Sequence, residues 1–248
     1  MRRVQRHMDI RVISLKNSSL RRASIATQFA ALNMAYEFFD AVTPLGAPAY
    51  IGGYDESEFL LNCGRVATDA EIACYASHLE LWRQCAAAKR PYLILEDDAR
   101  LTRSFCDGLP VLNRWVAERG LVRVALPLPR QSARVARQDS FALHYCRRVP
   151  LQALGYALSP GAARRLACAG ATIEEPVDKF LQRFWRHGQR VYALLPAIVE
   201  HSLLADISEI GERIRDDYDV PTRLRRLIRK SGNAVARACS NATFIPGR

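Results

Sequence analysis

Short apolar runs alternate along the chain with longer stretches in which apolar side chains recur at helical spacing. The runs IRVISL (residues 10–15) and PYLIL (residues 91–95) predict buried strands, and YEFFDAV (residues 36–42) predicts another. Helical stretches separate these strands, and parallel strands need such crossover connections. The pattern therefore predicts a parallel or mixed α/β sheet flanked by helices.

The helix that precedes residues 91–95 is the best defined element of the sequence. Thr68 and Glu71 in TDAEIACYASHLELWRQCAAA have the spacing of a capping box, which satisfies the first backbone N–H groups of a helix. The apolar positions that follow have a helical period: Ile72, Tyr75, Ala76, Leu79, Trp82 and Ala86. We therefore expect a helix that leads directly into a strand.

The rest of the chain continues this alternation. The sequence predicts, in order, a helix at residues 104–118, strands within 121–128 and 141–149 around a basic loop at 130–138, a strand and a short helix within 151–170, one helix within 174–188, and an extended stretch at 190–202. Gly170 and Gly188 stand where the two later helices are expected to end, because glycine commonly terminates helices.

We expect a single domain over residues 1–220 and a basic C-terminal tail over residues 221–248. Apolar residues form 49% of the 248 residues, which is enough for the core of one large α/β domain. In the tail, four apolar residues stand among cations: Leu224, Leu227, Ile228 and Val235. Residues 221–238 therefore predict a basic amphipathic helix, which either lies on an anionic membrane surface or is an ordinary exposed helix.

The charge balance favours anionic partners. Lys and Arg number 36 against 25 Asp and Glu, a net charge of +11, which suits nucleic acid, acidic lipid or a phosphorylated substrate. The seven cysteines form no Cys-x-x-Cys pair, so zinc ribbons and thioredoxin-type chemistry are not expected. Scattered cysteines in odd number instead lead us to expect a reducing, cytoplasmic compartment. The N-terminal residues lack the apolar run of a signal peptide, and no uncharged apolar segment is long enough to span a membrane.

Three adjacent carboxylates, Glu96, Asp97 and Asp98, follow the apolar run at residues 91–95. Ligands of open α/β sheets bind beyond the carboxyl ends of the strands, where these side chains are expected to lie. Carboxylate oxygens suit hard divalent ions such as Mg²⁺ or Mn²⁺, which commonly also bind a diphosphate. The alternative is that these three acids are simply solvated residues at the start of a loop.

Four segments occur in an order that resembles a known family. They are VISLKNSSLRRASIATQFAALNMAYEFFDAV, EIACYASHLELWRQCAAAKRPYLILEDDA, ALGYALSPGAARRL and EEPVDKFL. This set resembles glycosyltransferase family 25, the bacterial lipooligosaccharide sugar transferases related to collagen galactosyltransferases. The resemblance covers residues 10–101 and, more thinly, residues 151–208.

The resemblance implies a GT-A-type (Rossmann-like) fold and a metal-dependent transfer of a hexose, galactose or glucose. It also implies a UDP-sugar donor, a divalent cation (Mn²⁺ or Mg²⁺) and a lipooligosaccharide- or LPS-type glycan or glycolipid acceptor. The acidic tripeptide would act as a DxD-like motif. By that similarity Asp98 is the direct metal ligand, Glu96 contacts the ribose or a bound water, and Asp97 completes the donor-binding set.

The same resemblance places four residues in the nucleotide pocket: Ser14, Leu15, Arg22 and Asp40. Two of them have simpler explanations, since Arg22 is equally explained as a surface cation on a helix and Asp40 as a turn residue. Ser77 and His78 match a family motif and are expected near the donor. The alternative for His78 is a core histidine that packs beside Trp82.

The family is classed as inverting, which requires a general base to take the proton of the acceptor hydroxyl. Asp178 matches the family position for this role, although an acid in the first turn of a helix has the same appearance because the helix dipole favours it there. Glu174 and Glu175 are competing candidates. His201 is a further candidate, as a late metal ligand.

Two other functions remain alternatives. A basic nucleic-acid-binding protein fits the net charge, but the sequence has no zinc, RRM or KH motif and no convincing recognition helix, so no nucleic acid is expected. The second alternative is a catalytically degenerate protein that retains only the glycosyltransferase fold. Hydrolysis or transfer of a UDP-sugar with Mn²⁺, compared between the wild type and Asp98→Ala, separates these alternatives from an active enzyme.

Overall fold

The computed structural model describes residues 8–202 and 220–244. Its main sheet has eight strands, in the order β2-β1-β4-β9-β6-β11-β8-β7. The strands of this sheet are β1 (Asp9–Ser14), β2 (Glu37–Asp40), β4 (Tyr92–Glu96), β6 (Leu121–Arg123), β7 (Gln131–Gln138), β8 (Phe141–Arg148), β9 (Gly155–Leu158) and β11 (Val191–Leu195). Two short pairs lie outside it, β3 (Gly53–Tyr54) with β10 (Thr172–Ile173) and β5 (Ala99–Leu101) with β12 (Val199–His201).

Helices cover the main sheet. They are α1 (Ser19–Ala31), α2 (Glu56–Cys63), α3 (Asp69–Ala88), α4 (Phe105–Arg119), α5 (Pro160–Ala169), α6 (Val177–Gln182), α7 (Phe184–His187) and α8 (Val220–Ala242), with a 3₁₀ helix at Pro44–Ala49. No helix within residues 8–202 and 220–244 is long and apolar enough to cross a membrane.

Successive side chains of β4 point to opposite faces of the sheet, and both faces are buried. Ile94 joins a core cluster that includes Tyr75 and Trp82 of α3, whereas Leu93 and Leu95 join a second cluster on the opposite face. A strand that buries both sets of side chains reads as a continuous apolar run, which is how PYLIL reads. The predicted mixed α/β sheet flanked by helices is confirmed.

The capping box predicted for α3 is present. The Thr68 hydroxyl accepts a hydrogen bond from the Glu71 backbone N–H at 3.2 Å, and the Glu71 carboxylate accepts one from the Thr68 backbone N–H at 3.1 Å. Two of the N–H groups that a helix start leaves unpaired are thereby satisfied. This cap fixes the beginning of the helix that carries Ser77 and His78.

The predicted basic loop at residues 130–138 is wrong, because most of this segment is the strand β7. It pairs antiparallel with β8, and the predicted strand within 121–128 is correspondingly short, ending at Arg123. Val135 and Ala136 of β7 pack on the core, while Arg134 and Arg137 remain exposed. An edge strand tolerates such a basic face because water solvates it.

The single helix predicted within residues 174–188 is also wrong. The chain forms two short helices, α6 and α7, which meet at Arg183, whose ψ of 58° is not helical. The Arg183 guanidinium is buried and lies 2.9 Å from both the Glu175 carboxylate and the Asn62 amide oxygen of α2. Arg183 therefore contacts both residues at the point where α6 and α7 meet.

Candidate functional site

The carboxyl ends of β1, β2 and β4 meet at one edge of the sheet. β1 is parallel to both neighbours, with Ser14 paired to Asp40 and Ile13 paired to Glu96. Parallel neighbouring strands end together, so residues far apart in sequence are brought into one place. The acidic tripeptide therefore lies beside the end of β1.

Asp97 is buried and held by side chains of the first βα unit. Its carboxylate accepts a hydrogen bond from the Ser14 hydroxyl at 2.7 Å and pairs with the Arg21 guanidinium at 3.2 Å. These charge-assisted contacts compensate for its burial. Asp97 thus fastens the tripeptide to the end of β1.

Arg22 donates hydrogen bonds to residues at the ends of both β1 and β2. Its Nε donates to the Leu15 carbonyl at 3.0 Å, and its Nη2 donates to the Ser14 carbonyl at 3.1 Å and to Asp40 Oδ1 at 2.5 Å. The hydrogen bond from Arg22, followed by contacts with Lys16, lowers the pKa of Asp40 below its usual range. The four residues expected in the nucleotide pocket are therefore adjacent, and much of the donor capacity of Arg22 is directed to main-chain carbonyls.

Asp98 occupies a different environment from Asp97. Its side chain is 17% exposed, its Oδ2 lies 3.4 Å from His201 Nδ1, and its Oδ1 is buried and accepts no hydrogen bond from the described residues. Burial, together with the negative charge of Glu96, raises the pKa of Asp98 to about 6, although the charges of His201 and Arg21 oppose this shift. A buried carboxylate oxygen without a donor is unfavourable, and a cation would relieve it.

His78 is fully buried and lies between an aromatic pair and Glu96. The Trp82 indole N–H donates to the Tyr156 hydroxyl at 2.8 Å, and that hydroxyl lies 2.8 Å from His78 Nδ1. The other ring nitrogen of His78, Nε2, is buried and has no hydrogen-bond partner among the described residues. That Nε2 lies 3.4 Å from Glu96 Oε1. The ring therefore lies in the core beside Trp82 and also contacts the tripeptide, and its place near the donor stays a prediction.

Ser77 faces the other side of α3. Its hydroxyl accepts a hydrogen bond from the Val42 backbone N–H at 2.9 Å and donates to the Ala73 carbonyl at 2.9 Å. Both contacts are buried. Ser77 therefore anchors the chain that leaves β2 to the helix that carries His78.

A pocket of about 290 Å³ opens beside Glu96 and brings together residues from distant parts of the sequence. Its lining consists of Glu71, Cys74, Glu96, Gln152, Ala153, Pro176, Val177, Asp178 and His201. Carboxylates from β4 and from α6 therefore face one cavity.

Asp178 stands in the first turn of α6, at the wall of this pocket. Its Oδ2 accepts a hydrogen bond from the Gln152 backbone N–H at 3.4 Å. Gln152 has a φ of 91°, an uncommon conformation for a residue other than glycine, and its carbonyl accepts from the buried Arg123 guanidinium at 2.6 Å. Arg123 and Asp178 together hold this part of the pocket wall.

The two competing acids beside Asp178 are engaged elsewhere. Glu175 is buried and pairs with Arg183 at 2.9 Å and with Arg186 at 3.1 Å. Burial raises the pKa of Glu175, and the charges of both arginines act against this shift. Glu174 pairs with Arg186 at 2.6 Å. Neither carboxylate lines the pocket that Asp178 and Glu96 share.

A comparison of the sequence with protein families shows which family the chain belongs to. The sequence matches the model of glycosyltransferase family 25 (LPS biosynthesis protein) over residues 7–181, which is more than half of the chain. The chain belongs to glycosyltransferase family 25. The resemblance carried by the four sequence segments is thereby confirmed, and the chain is an enzyme of the glycosyltransferase class.

Several relatives of this family 25 chain are known glycosyltransferases or lipooligosaccharide biosynthesis proteins. The lacto-N-neotetraose biosynthesis glycosyltransferase LgtE of Neisseria meningitidis serogroup B is 27% identical over 251 residues, covering 90% of this chain and 86% of that protein. LgtB of the same organism is 28% identical and covers 79% of this chain and 76% of its own length. The lipooligosaccharide biosynthesis protein lic2B of Haemophilus influenzae is 31% identical over 43% of this chain and 39% of that protein.

The family implies a divalent cation, and the carboxylates of the tripeptide fit one. Asp98 offers a buried oxygen without a hydrogen-bond donor among the described residues, and Glu96 supplies a second charge nearby. A different group, Cys74, His78 and Glu96, has its ligand atoms within 4.8 Å of one another. That group offers a thiol and an imidazole, which are softer ligands than carboxylate oxygens. The oxygen ligands therefore suit the cation better than this mixed group does.

Sequence reasoning missed four residues of the site: Cys74, Arg123, Gln152 and Tyr156. Arg123 carried a signal, because a cation inside the apolar run LVRVAL is unusual in a buried strand. Tyr156 and Gln152 carried none, since their roles depend on partners more than twenty residues away in sequence.

Proposed function

We propose that this family 25 enzyme transfers a hexose, galactose or glucose, from a UDP-sugar to a lipooligosaccharide- or LPS-type glycan, with inversion and with Mn²⁺ or Mg²⁺ as cofactor. The observation that carries the proposal is Asp98, which has a buried carboxylate oxygen without a hydrogen-bond donor among the described residues and lies beside Glu96 at the carboxyl end of a central strand. The names of the relatives LgtE, LgtB and lic2B support the acceptor class.

On this proposal Asp98 and Glu96 would hold the cation, which would supply electrostatic stabilisation to the departing nucleoside diphosphate. Asp97 keeps the tripeptide in place through Ser14 and Arg21. The neighbouring backbone and side chains at the ends of β1 and β2 form the nucleotide side of the site: Ser14, Leu15, Arg22 and Asp40. Ser77 and His78 support the site from α3, His78 through its Nε2, which lies 3.4 Å from Glu96 Oε1.

The acceptor hydroxyl attacks the anomeric carbon from the side opposite the diphosphate. The new bond joins the acceptor oxygen to the anomeric carbon, the bond from that carbon to the diphosphate oxygen breaks, and the hydroxyl proton passes to Asp178. This in-line course inverts the configuration at the carbon. Asp178 suits the role of base because its carboxylate lies on the pocket wall, whereas Glu174 and Glu175 are held by arginines.

A transfer assay with a UDP-sugar, Mn²⁺ and a lipooligosaccharide-type glycan acceptor tests the proposal, with Asp98→Asn as the variant. Asparagine keeps the shape of the side chain and removes its charge, so kcat/KM is expected to fall about 100-fold or more. Asp107→Asn is the matched control, since Asp107 is an exposed acid in the first turn of α4. Donor binding that is insensitive both to Mn²⁺ and to Asp98→Asn would overturn the metal role.

The same preparation separates the alternatives. Salt-sensitive DNA binding without nucleotide-sugar binding would favour a nucleic-acid-binding protein. Donor binding without transfer to any acceptor of the class would favour a degenerate enzyme.

We propose further that the enzyme acts in the cytoplasm, at the inner face of the bacterial inner membrane, because a glycolipid acceptor is anchored there. The cationic excess of the chain supports contact with an anionic surface.

A further inference from the structure

Helix α8 lies on the protein with its polar side inward. The half-buried positions along it recur at helical spacing and are polar or small: Thr222, Arg226, Arg229, Asn233, Ala236, Arg237, Ser240 and Asn241. The large apolar side chains lie on the opposite side of the helix and are 57–75% exposed: Val220, Leu224, Leu227, Ile228 and Val235. A helix that packs on a core normally buries its apolar stripe, so this orientation is the reverse of the usual one.

Specific contacts hold α8 in this orientation. Arg229 makes two hydrogen bonds to the Glu58 carboxylate of α2, at 2.5 and 2.9 Å. At the other end, Asn241 accepts from the Tyr145 hydroxyl at 2.8 Å, and the Phe244 ring stacks on Tyr145 with ring centroids 3.8 Å apart. The polar side is therefore occupied by the protein, and rotation of the apolar stripe towards the core would break these contacts.

The charge of α8 indicates what covers the apolar stripe. The helix carries five arginines and one lysine and has no acidic residue. Arg225 and Lys230 are exposed and lie on either side of the stripe. An apolar stripe flanked by cations matches an anionic lipid surface, where the apolar side chains enter the interface and the cations meet the headgroups.

We propose that α8 is the membrane-docking surface of this enzyme, binding anionic lipid through the stripe Val220, Leu224, Leu227, Ile228 and Val235. The proposed function is needed only to explain why docking is useful, since it supplies a lipid-linked acceptor. α8 is joined to the helix that carries Asp178 through α2. Glu58 of α2 contacts Arg229, and the carbonyl of Asn62 of α2 accepts from Lys179, the residue after Asp178. These contacts lie on the side of α8 opposite the stripe, so α2 and α6 would stay on the protein side of the docked helix.

Vesicle co-sedimentation of the full chain, without donor or cation, tests this surface directly. The chain is expected to bind vesicles of phosphatidylcholine with phosphatidylglycerol and to bind pure phosphatidylcholine weakly. The double variant Leu227→Ser with Ile228→Ser should weaken binding to the anionic vesicles about tenfold or more. The matched control is Leu20→Ser with Leu45→Ser, which removes two leucines that are 73% and 95% exposed elsewhere and should leave binding unchanged.

A second double variant tests the cations. Arg225→Gln with Lys230→Gln should weaken binding to anionic vesicles about tenfold or more and change binding to neutral vesicles little. No binding to anionic vesicles, or equal losses in the stripe variant and its leucine control, would overturn the proposal. So would a dimer in sedimentation equilibrium that the stripe variant abolishes, because the stripe would then be covered by a second copy.

Transfer to a short water-soluble acceptor is measured in parallel. The stripe variant is expected to retain it, which shows that the protein is folded. If transfer is absent from the wild type while vesicle binding follows the expected pattern, the proposed function fails and the docking surface stands.

Discussion

Each of the three carboxylates after β4 has a different chemical environment. Asp97 is satisfied by Ser14 and Arg21, whereas Glu96 lines the pocket and faces His78. Asp98 keeps a buried oxygen without a hydrogen-bond donor among the described residues. In sequence the three are adjacent acids of similar type. Their partners, which come from other elements, make them unequal.

Asp178→Asn tests the general base at the residue scale. Asparagine preserves the shape and the hydrogen bond from Gln152 but has no basic oxygen to take a proton. We expect kcat to fall about 100-fold or more, while the dissociation constant for the donor changes little. Single-turnover kinetics and calorimetric donor binding measure the two quantities.

Glu174→Gln is the matched control for that substitution, since Glu174 is four residues away and pairs with Arg186. Its turnover should remain within about twofold of the wild type. Normal turnover in Asp178→Asn would remove Asp178 from the role of base, and a loss of donor binding would assign it to the donor side.

At the element scale, α3 and β4 form the unit that positions the site. α3 begins at a capping box and carries His78 and Trp82, and β4 then ends at the tripeptide. The local sequence specifies both elements, because capping and apolar periodicity act between near neighbours in the chain. The break between α6 and α7 at Arg183 depends instead on partners in α2 and before α6, and sequence periodicity alone predicted a continuous helix.

Thr68→Ala tests the cap of α3. The substitution leaves the Glu71 backbone N–H without its acceptor, so the free energy of unfolding should fall by about 1 kcal/mol. Thr27→Ala is the control, since the Thr27 hydroxyl donates to Ala23 within α1 and takes no part in a cap. Urea unfolding monitored by circular dichroism compares the two variants, and equal losses would contradict a specific role for the cap.

At the scale of the whole molecule, the site is assembled across most of the chain. His201 of β12 faces Asp98, and Asp178 contacts Gln152 while sharing a pocket with Glu96. Each pair is far apart in sequence and meets because the sheet orders the strands differently from the chain. The proposed site therefore depends on the complete fold.

The pKa of Asp98 predicts how stability depends on pH in metal-free protein. Burial and Glu96 raise this pKa from 3.8 to about 6, so the folded state binds the proton more tightly than the unfolded state does. Unfolding then releases protons in this range, and the Asp98 contribution becomes less favourable as pH rises from about 4 to about 6. Relative to Asp98→Asn, the wild type should lose on the order of 2–3 kcal/mol between about pH 4 and pH 7.

Urea unfolding of both proteins at several pH values measures this difference. Addition of Mn²⁺ near pH 7 should stabilise the wild type and leave Asp98→Asn nearly unchanged, because the cation replaces the proton as the partner of the carboxylate. A pH-independent difference between the two proteins would show that Asp98 has an ordinary pKa.

The sequence by itself determined the α/β class, the capped helix α3, the strand that ends at the acidic tripeptide and the amphipathic character of the tail. These features depend on residues that are close in the chain, so periodicity and capping reveal them. Tertiary structure decided which carboxylate oxygen has no hydrogen-bond donor among the described residues, which residue contacts His78 in the core, and which side of α8 faces the solvent. Those outcomes depend on burial and on partners from distant elements, and local sequence carries no record of which partner a buried polar group will meet.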